Sequence, residues 1–152
     1  MTVESWTSAD ATRLIAELTA ELDQRYAGID TDDEDTELGA LSDSTWFVVA
    51  RRAGEAVGCG AYVPWDDRHG EIKRVYVRPE GRGQGVARAI MQAIEQRAVE
   101  VGVSALFLET GTMQPEAISL YRSLGYVQVP CGARLRSAGW SVCMQKDLGG
   151  GD

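Results

Sequence analysis

The segment of this chain best suited to chemistry is Val75-Tyr76-Val77-Arg78-Pro79-Glu80-Gly81-Arg82-Gly83-Gln84-Gly85-Val86-Ala87. Strand-favouring residues give way to alternating glycines and then to a helical pattern, so a strand, a tight turn and a helix start should follow one another. That order suits an anion. N–H groups at a helix N-terminus lack partners, the helix dipole adds partial positive charge, and glycines let a phosphate approach the backbone. Two common phosphate ligands do not fit. A Walker loop needs Lys-Ser/Thr after its last glycine, yet Gly85 is followed by Val86-Ala87. A dinucleotide fingerprint starting at Gly81 or Gly83 needs a small third residue where Val86 or Arg88 stands.

Metal chemistry has no comparable signal. Cys59, Cys131 and Cys143 form no C-x-x-C pair or Cys/His cluster, are too scattered for a disulfide framework, and are expected to be reduced thiols. His69 is the single histidine and reads as a solvated loop residue. The acidic run from Asp30 fails as a calcium loop, because the turn glycine is replaced by Asp35 and the bidentate glutamate by Leu41.

The elements that must position the glycine turn are legible from periodicity. After Ser8, a candidate N-cap, Ala11, Leu14, Ile15, Leu18, Leu22 and Tyr26 mark one helix face that should end at Gly28. Residues 46–50 and 56–63 read as a hairpin turning at Ala53-Gly54, with Gly58 and Gly60 marking a bulge. A third strand runs from Glu71 to Val77. Ala87, Ile90, Met91, Ile94, Ala98 and Val101 form the face of a long helix that Gly102 closes. Val103 to Leu108 is the next strand, and a short helix starts at Pro115 and ends by Gly125. Strands near 126–129 and 140–146 would complete a mixed sheet covered by helices.

A chain of 152 residues, 44% of them hydrophobic, supports a single domain, here 1–148, with 149–152 a disordered tail. The net charge of −8 argues against nucleic acid. Its distribution is uneven: residues 1–44 carry 12 acidic and 2 basic side chains, the remainder 11 and 13. The later part can therefore accept an anionic ligand, while Asp30 to Glu37 should be a solvated acidic loop. No run of about 20 apolar residues and no signal-peptide pattern is present, so no membrane association and a cytoplasmic location are expected.

The turn pattern Arg82-x-x-Gly85-x-Ala87, after a strand ending Val-x-Pro, resembles the coenzyme A pyrophosphate loop of the GNAT superfamily of N-acetyltransferases. The likeness covers roughly residues 45–129, taking in Glu71 to Val77, the long helix, and Ala117-Ile118-x-Leu120-Tyr121-x-x-x-Gly125-Tyr126 in the superfamily's order and spacing. It implies an α/β (α+β) fold: a mixed, mostly antiparallel twisted sheet covered by helices, with a splayed strand pair at the cofactor site. It implies acetyl-CoA as donor, a primary amine of a small molecule or peptide as acceptor, direct transfer and no metal.

By the same resemblance, the amides of Arg82, Gly83, Gln84, Gly85, Val86 and Ala87 hold the pyrophosphate, while backbone groups of Val75 and Val77 pair with the pantetheine arm like an added strand. Tyr121 matches the tyrosine that protonates the departing thiolate, since phenol and thiol acidities lie about two units apart. Glu71 stands where the histone-modifying branch of the family places its general base. An ion pair with Lys73 is the competing reading. Glu109 is a second candidate base, and water a third. Where many members carry an asparagine, this sequence has Gln114 followed by Pro115, whose longer amide can still reach the pantetheine. A non-catalytic acyl-CoA-binding module and a toxin-like aminoacyl-tRNA acetyltransferase share the motif. Tyr121 speaks against the first and the acidic first third against the second, and favours a cationic acceptor. The acceptor's identity and the oligomeric state, a homodimer included, stay open.

Overall fold

The structure, a computed structural model, describes residues 1–27, 41–132 and 141–149. Its strands are β1 (Thr2–Glu4), β2 (Trp46–Arg52), β3 (Glu55–Pro64), β4 (His69–Val77), β5 (Ala105–Gly111), β6 (Val127–Val129) and β7 (Ser141–Asp147). The helices are α1 (Ala9–Arg25), α2 (Val86–Glu100) and α3 (Pro115–Ser123), and a 3₁₀ turn, Pro79–Gly81, follows β4. The strands form one sheet in the order β1-β2-β3-β4-β5-β7-β6, antiparallel throughout except between β4 and β5. This is the mixed, mostly antiparallel sheet that the resemblance implies.

Periodicity decides which face each helix covers. Ser8 Oγ accepts from the Ala11 amide at 3.2 Å and starts α1, whose Ala11, Leu14, Ile15 and Leu18 bury against Phe47, Val49, Cys59 and Ala61. On the opposite face Ile90, Met91 and Ile94 of α2 and Tyr121 of α3 pack with Val48, Leu106, Leu108 and Met144. Each large apolar side chain buried in these two layers contributes about 1.5–3 kcal/mol. Gly60 is what lets α2 settle on the sheet, because a Cβ there would stand 2.5 Å from Ile90 Cγ2.

Gly60 also faces the irregularity that shapes the site. Cys59 pairs with Tyr76 and Ala61 with Lys73, so Arg74 and Val75 together oppose Gly60. The bulge lies on β4, with Arg74 at φ 59, a left-handed conformation costing about 1–2 kcal/mol outside glycine. Such an insertion bends its strand. Pairing of β4 with β5 accordingly runs only from His69 opposite Ala105 to Ile72 opposite Leu108. Beyond that rung both strands continue, to Val77 and Gly111, without pairing to each other. The parting leaves Val75–Val77 separated from the strand through Leu108, the splayed pair that the resemblance implies.

Some expectations need correction. Cys131 and Cys143 are joined by a disulfide, not held as two thiols, because the antiparallel pairing of β6 with β7 sets Val129 opposite Cys143 and brings Cys131 alongside. His69 opens β4 instead of lying in a loop, and its Nδ1 contacts Asp66 Oδ1 at 2.9 Å. β5 runs three residues past Leu108, and β1 is an edge strand the periodicity does not show. Gly28, the acidic run Asp30 to Glu37 and residues 150–152 lie outside the described residues. Among those described, no helix is long and apolar enough to cross a membrane.

Candidate active site

The glycine turn connects the end of β4 to α2. Gly83 at φ 77 and Gly85 at φ 80 both occupy the left-handed region, and Gly85 is the N-cap of α2. A Cβ at either position would meet nothing within 4 Å, so glycine is required here by backbone conformation and not by space. The first backbone bond into α2 runs from the Ala89 amide to Gly85 O at 3.0 Å. The amides from Gly83 to Arg88 thus have no backbone partner among the described residues, and they stand on the positive end of a helix of 15 residues. Arg82, expected to lend its amide to the pyrophosphate, does not join them, because that amide donates to Pro79 O at 3.3 Å. Its Nε donates to Val77 O at 2.8 Å and its Nη2 reaches Glu21 of α1, which pins the end of β4. Arg78 reinforces that pin through Glu17 and the carbonyl of Ala56.

Val75 and Val77 lie on the stretch of β4 that has left β5, and on its other side this stretch still pairs with β3. β4 therefore presents a strand edge toward the gap. Tyr121 stands on α3 at the α2 side of the sheet, 8% exposed, its ring edge-on to Tyr126 at 6.2 Å. Its hydroxyl makes no hydrogen bond to a described residue, and burial alone pushes its pKa up to about 12. A phenol so raised stays protonated at neutral pH. Gln114 is the N-cap residue of α3, and its Oε1 accepts from the Tyr26 hydroxyl at 3.1 Å, so the C-terminal end of α1 fixes where that amide lies.

The other face of the sheet carries the carboxylates. Glu71 is 7% exposed, with Trp65 Nε1 3.2 Å from Oε1 and Lys73 Nζ 3.1 Å from Oε2. The ion pair with Lys73 is thus present. Glu109, on the same face of β5, accepts from Ser141 Oγ at 2.6 Å. Trp65 also stacks on Phe107 with ring centroids 4.8 Å apart, which walls the bottom of this face. The Cys59 thiol is no nucleophile: burial raises its pKa to about 12, and Sγ donates to Arg74 O at 3.2 Å. Among the described residues no group of three or more His, Cys, Asp or Glu could hold a metal ion.

The structure thus sets Val75, Val77, Val86, Ala87 and Tyr121 in one cluster on the α2 side of the sheet, Gln114 at the start of α3, and Glu71 and Glu109 on the other face. Sequence reasoning missed the contacts of Trp65, Ser141 and Tyr26. Ser141 is set in place by the non-sequential order β5-β7-β6, which leaves no mark in a local pattern.

Comparison with known proteins points the same way. The model of the acetyltransferase (GNAT) family matches residues 11–126. A protein of Azospirillum brasilense named "IAA acetyltransferase" is 46% identical over 81 residues, which are 53% of this chain and 53% of that protein. The chain thus matches about half the length of this relative. A crystal structure from Klebsiella pneumoniae, assigned as an acyl-CoA N-acyltransferase, superposes with a TM-score of 0.82 at 34% identity, covering 97% of this chain and 95% of that one. A GNAT family acetyltransferase of Elizabethkingia anophelis, solved with acetyl-CoA bound, shares the fold at a TM-score of 0.69 and 16% identity, covering 96% and 95%.

Proposed function

Since this chain belongs to the acetyltransferase (GNAT) family, we infer that it transfers the acetyl group of acetyl-CoA to a primary amine by direct attack. One observation carries the reading: free helix-start amides stand at the mouth of a gap whose wall is the unpaired edge of β4. A pyrophosphate needs the former and an amide-bearing pantetheine arm the latter. The donor supplies an electrophilic thioester. Val75 and Val77 offer backbone groups to its arm, Gly83 to Ala87 hold its phosphates, and the Gln114 amide can reach it. The amide near Val77 polarises the thioester carbonyl as charge develops there.

Tyr121 serves the leaving thiolate. With its phenol pushed to about 12 and a free thiol near 8.5, full proton transfer runs uphill, so the hydroxyl acts mainly as a hydrogen-bond donor to the developing charge. Glu71 takes the amine proton, directly or through water, once its contact with Lys73 or Trp65 loosens. Glu109 is the alternative base, held by Ser141 one residue past the last pairing of β5 with β4. Two carboxylates on one face favour an acceptor that is cationic in solution, and the acidic run Asp30 to Glu37 extends that charge in the sequence. We place the enzyme in the cytoplasm, with its donor.

The test is thiol release from acetyl-CoA against a panel of small amines, amino acids and peptides. A reproducible substrate supports the reading. Tight acetyl-CoA binding without turnover on any amine would leave only a binding module.

A further inference from the structure

The reading above gives the pantetheine arm the free edge of β4 and the amide of Gln114, and an arm inserted as a strand has a second side, which faces β5. Thr110 stands on that wall. It is 7% exposed, and its Oγ1 is the one buried side-chain polar atom among the described residues that has no hydrogen-bond partner. Buried hydroxyls are nearly always bonded, and valine has the same shape without the cost of an unpaired hydroxyl.

The position is telling. Thr110 lies two residues past Leu108, the last residue of β5 that pairs with β4. Alternation puts its side chain on the face of Leu106 and Leu108, and its cross-strand partner Val142 belongs to the same cluster, beneath α2 and α3. Tyr121 shares that cluster, yet its hydroxyl is not bonded to Thr110. Across β7 the neighbour is apolar, so the sheet offers the hydroxyl nothing on that side.

We propose that Thr110 is a further donor-binding residue, whose hydroxyl hydrogen-bonds a pantetheine amide from the β5 side of the gap. The inference rests on the acetyl-CoA reading. A hydroxyl both donates and accepts, so it suits either the carbonyl or the N–H of such an amide. The backbone of Val75 and Val77 holds the arm from the β4 edge and the Thr110 hydroxyl from the α2 face of β5, which together fix the thioester relative to Tyr121.

Calorimetric titration of coenzyme A and acetyl-CoA into wild type, T110V and T110S, with melting temperatures measured without donor, tests this. T110V should bind both ligands about tenfold more weakly, about 1.4 kcal/mol, and T110S within about twofold of wild type. The donor-free melting temperature of T110V should equal or exceed that of wild type, because no bond within the protein is lost. Unchanged affinity in T110V overturns the proposal. A fall in melting temperature that tracks the fall in affinity does so too, since the hydroxyl would then be structural. Weakening confined to acetyl-CoA removes the pantetheine contact in favour of the acetyl group. If T110V does not fold, T110A against T110S gives the same comparison. A wild type that binds neither ligand overturns the donor reading itself, and the proposal with it.

Discussion

The two sides of the opening between β4 and β5 are built from different materials. On the α2 side the structure offers mainly backbone, amides at a helix start and a strand edge, with the Tyr121 phenol, whose hydroxyl bonds no described residue. On the α1 side it offers side chains that are already engaged, Glu71 with Lys73 and Trp65, and Glu109 with Ser141. Backbone groups can hold only what all donors share, so that side suits a constant ligand. Side-chain pairs can be exchanged without moving the fold, so the proposed function assigns acceptor choice to the other side. If this division is right, substitutions on one side change donor affinity or chemistry, and those on the other change only the kinetics toward the amine.

The largest effect should come from the base. Glu71→Gln or Glu109→Gln, whichever removes the proton acceptor, should lower acceptor kcat/KM about a hundredfold or more while acetyl-CoA affinity stays constant. The variant of the other residue should lose far less. Equal, small losses in both would assign the proton to water.

Tyr121→Phe keeps the ring and should lower kcat about a hundredfold in single-turnover kinetics, with little change in acetyl-CoA affinity. Its raised pKa also has a stability consequence. The folded protein holds the phenolic proton up to about pH 12, whereas the unfolded chain releases it near 10. The contribution is therefore complete below about pH 10 and is lost as pH rises through about 12, up to about 3 kcal/mol. Wild type should lose stability steeply over that window in denaturant titrations, and Tyr121→Phe less steeply. Part of the slope should remain, because burial also raises Tyr26, Tyr62 and Tyr76.

On the backbone side, Gly85→Val forces a β-branched residue to φ near 80. The turn should shift, weakening acetyl-CoA about tenfold or more, about 1.4 kcal/mol, with acceptor KM little changed. A folded variant with wild-type affinity would remove the turn from the donor site and with it the division between the two sides.

The same division accounts for what could be read from the sequence. The donor side was legible because backbone demands leave residue-type signatures: Gly83 and Gly85 where φ must be positive, Ala87, Ile90, Met91 and Ile94 at helical spacing behind them. The parting of β4 from β5 was anticipated only through the resemblance, since the bulge that bends β4 falls on Arg74, a residue type that signals no bulge. The nearby glycine, Gly60, is on the partner strand. Acceptor-side pairs were less legible. The Glu71–Lys73 contact follows from i, i+2 spacing on a strand, but Ser141 beside Glu109 depends on β7 inserting between β5 and β6, and Cys131 joined to Cys143 on the register of β6 against β7.

The smallest predicted effect concerns recognition at long range. The segment Asp30-Thr31-Asp32-Asp33-Glu34-Asp35-Thr36-Glu37 has six acidic side chains and no basic one, within a first third of the chain that already carries most of its negative charge. Such a cluster raises the local concentration of cations through the solvent, without requiring a contact. Its influence must then follow the Debye length, which shrinks from about 30 Å at 0.01 M to about 8 Å at 0.15 M. For a cationic acceptor, kcat/KM should fall several-fold over that range, and neutralising Asp32, Asp33 and Asp35 to Asn should flatten most of the slope. Acetyl-CoA affinity should respond oppositely if at all, since its phosphates are repelled by the same charges. Glu71 and Glu109 are set in the sheet and screened less by salt, so the part of recognition they supply should persist in the triple variant at high ionic strength. A kcat/KM indifferent to both salt and the triple substitution would confine recognition of the amine to those two carboxylates and their partners.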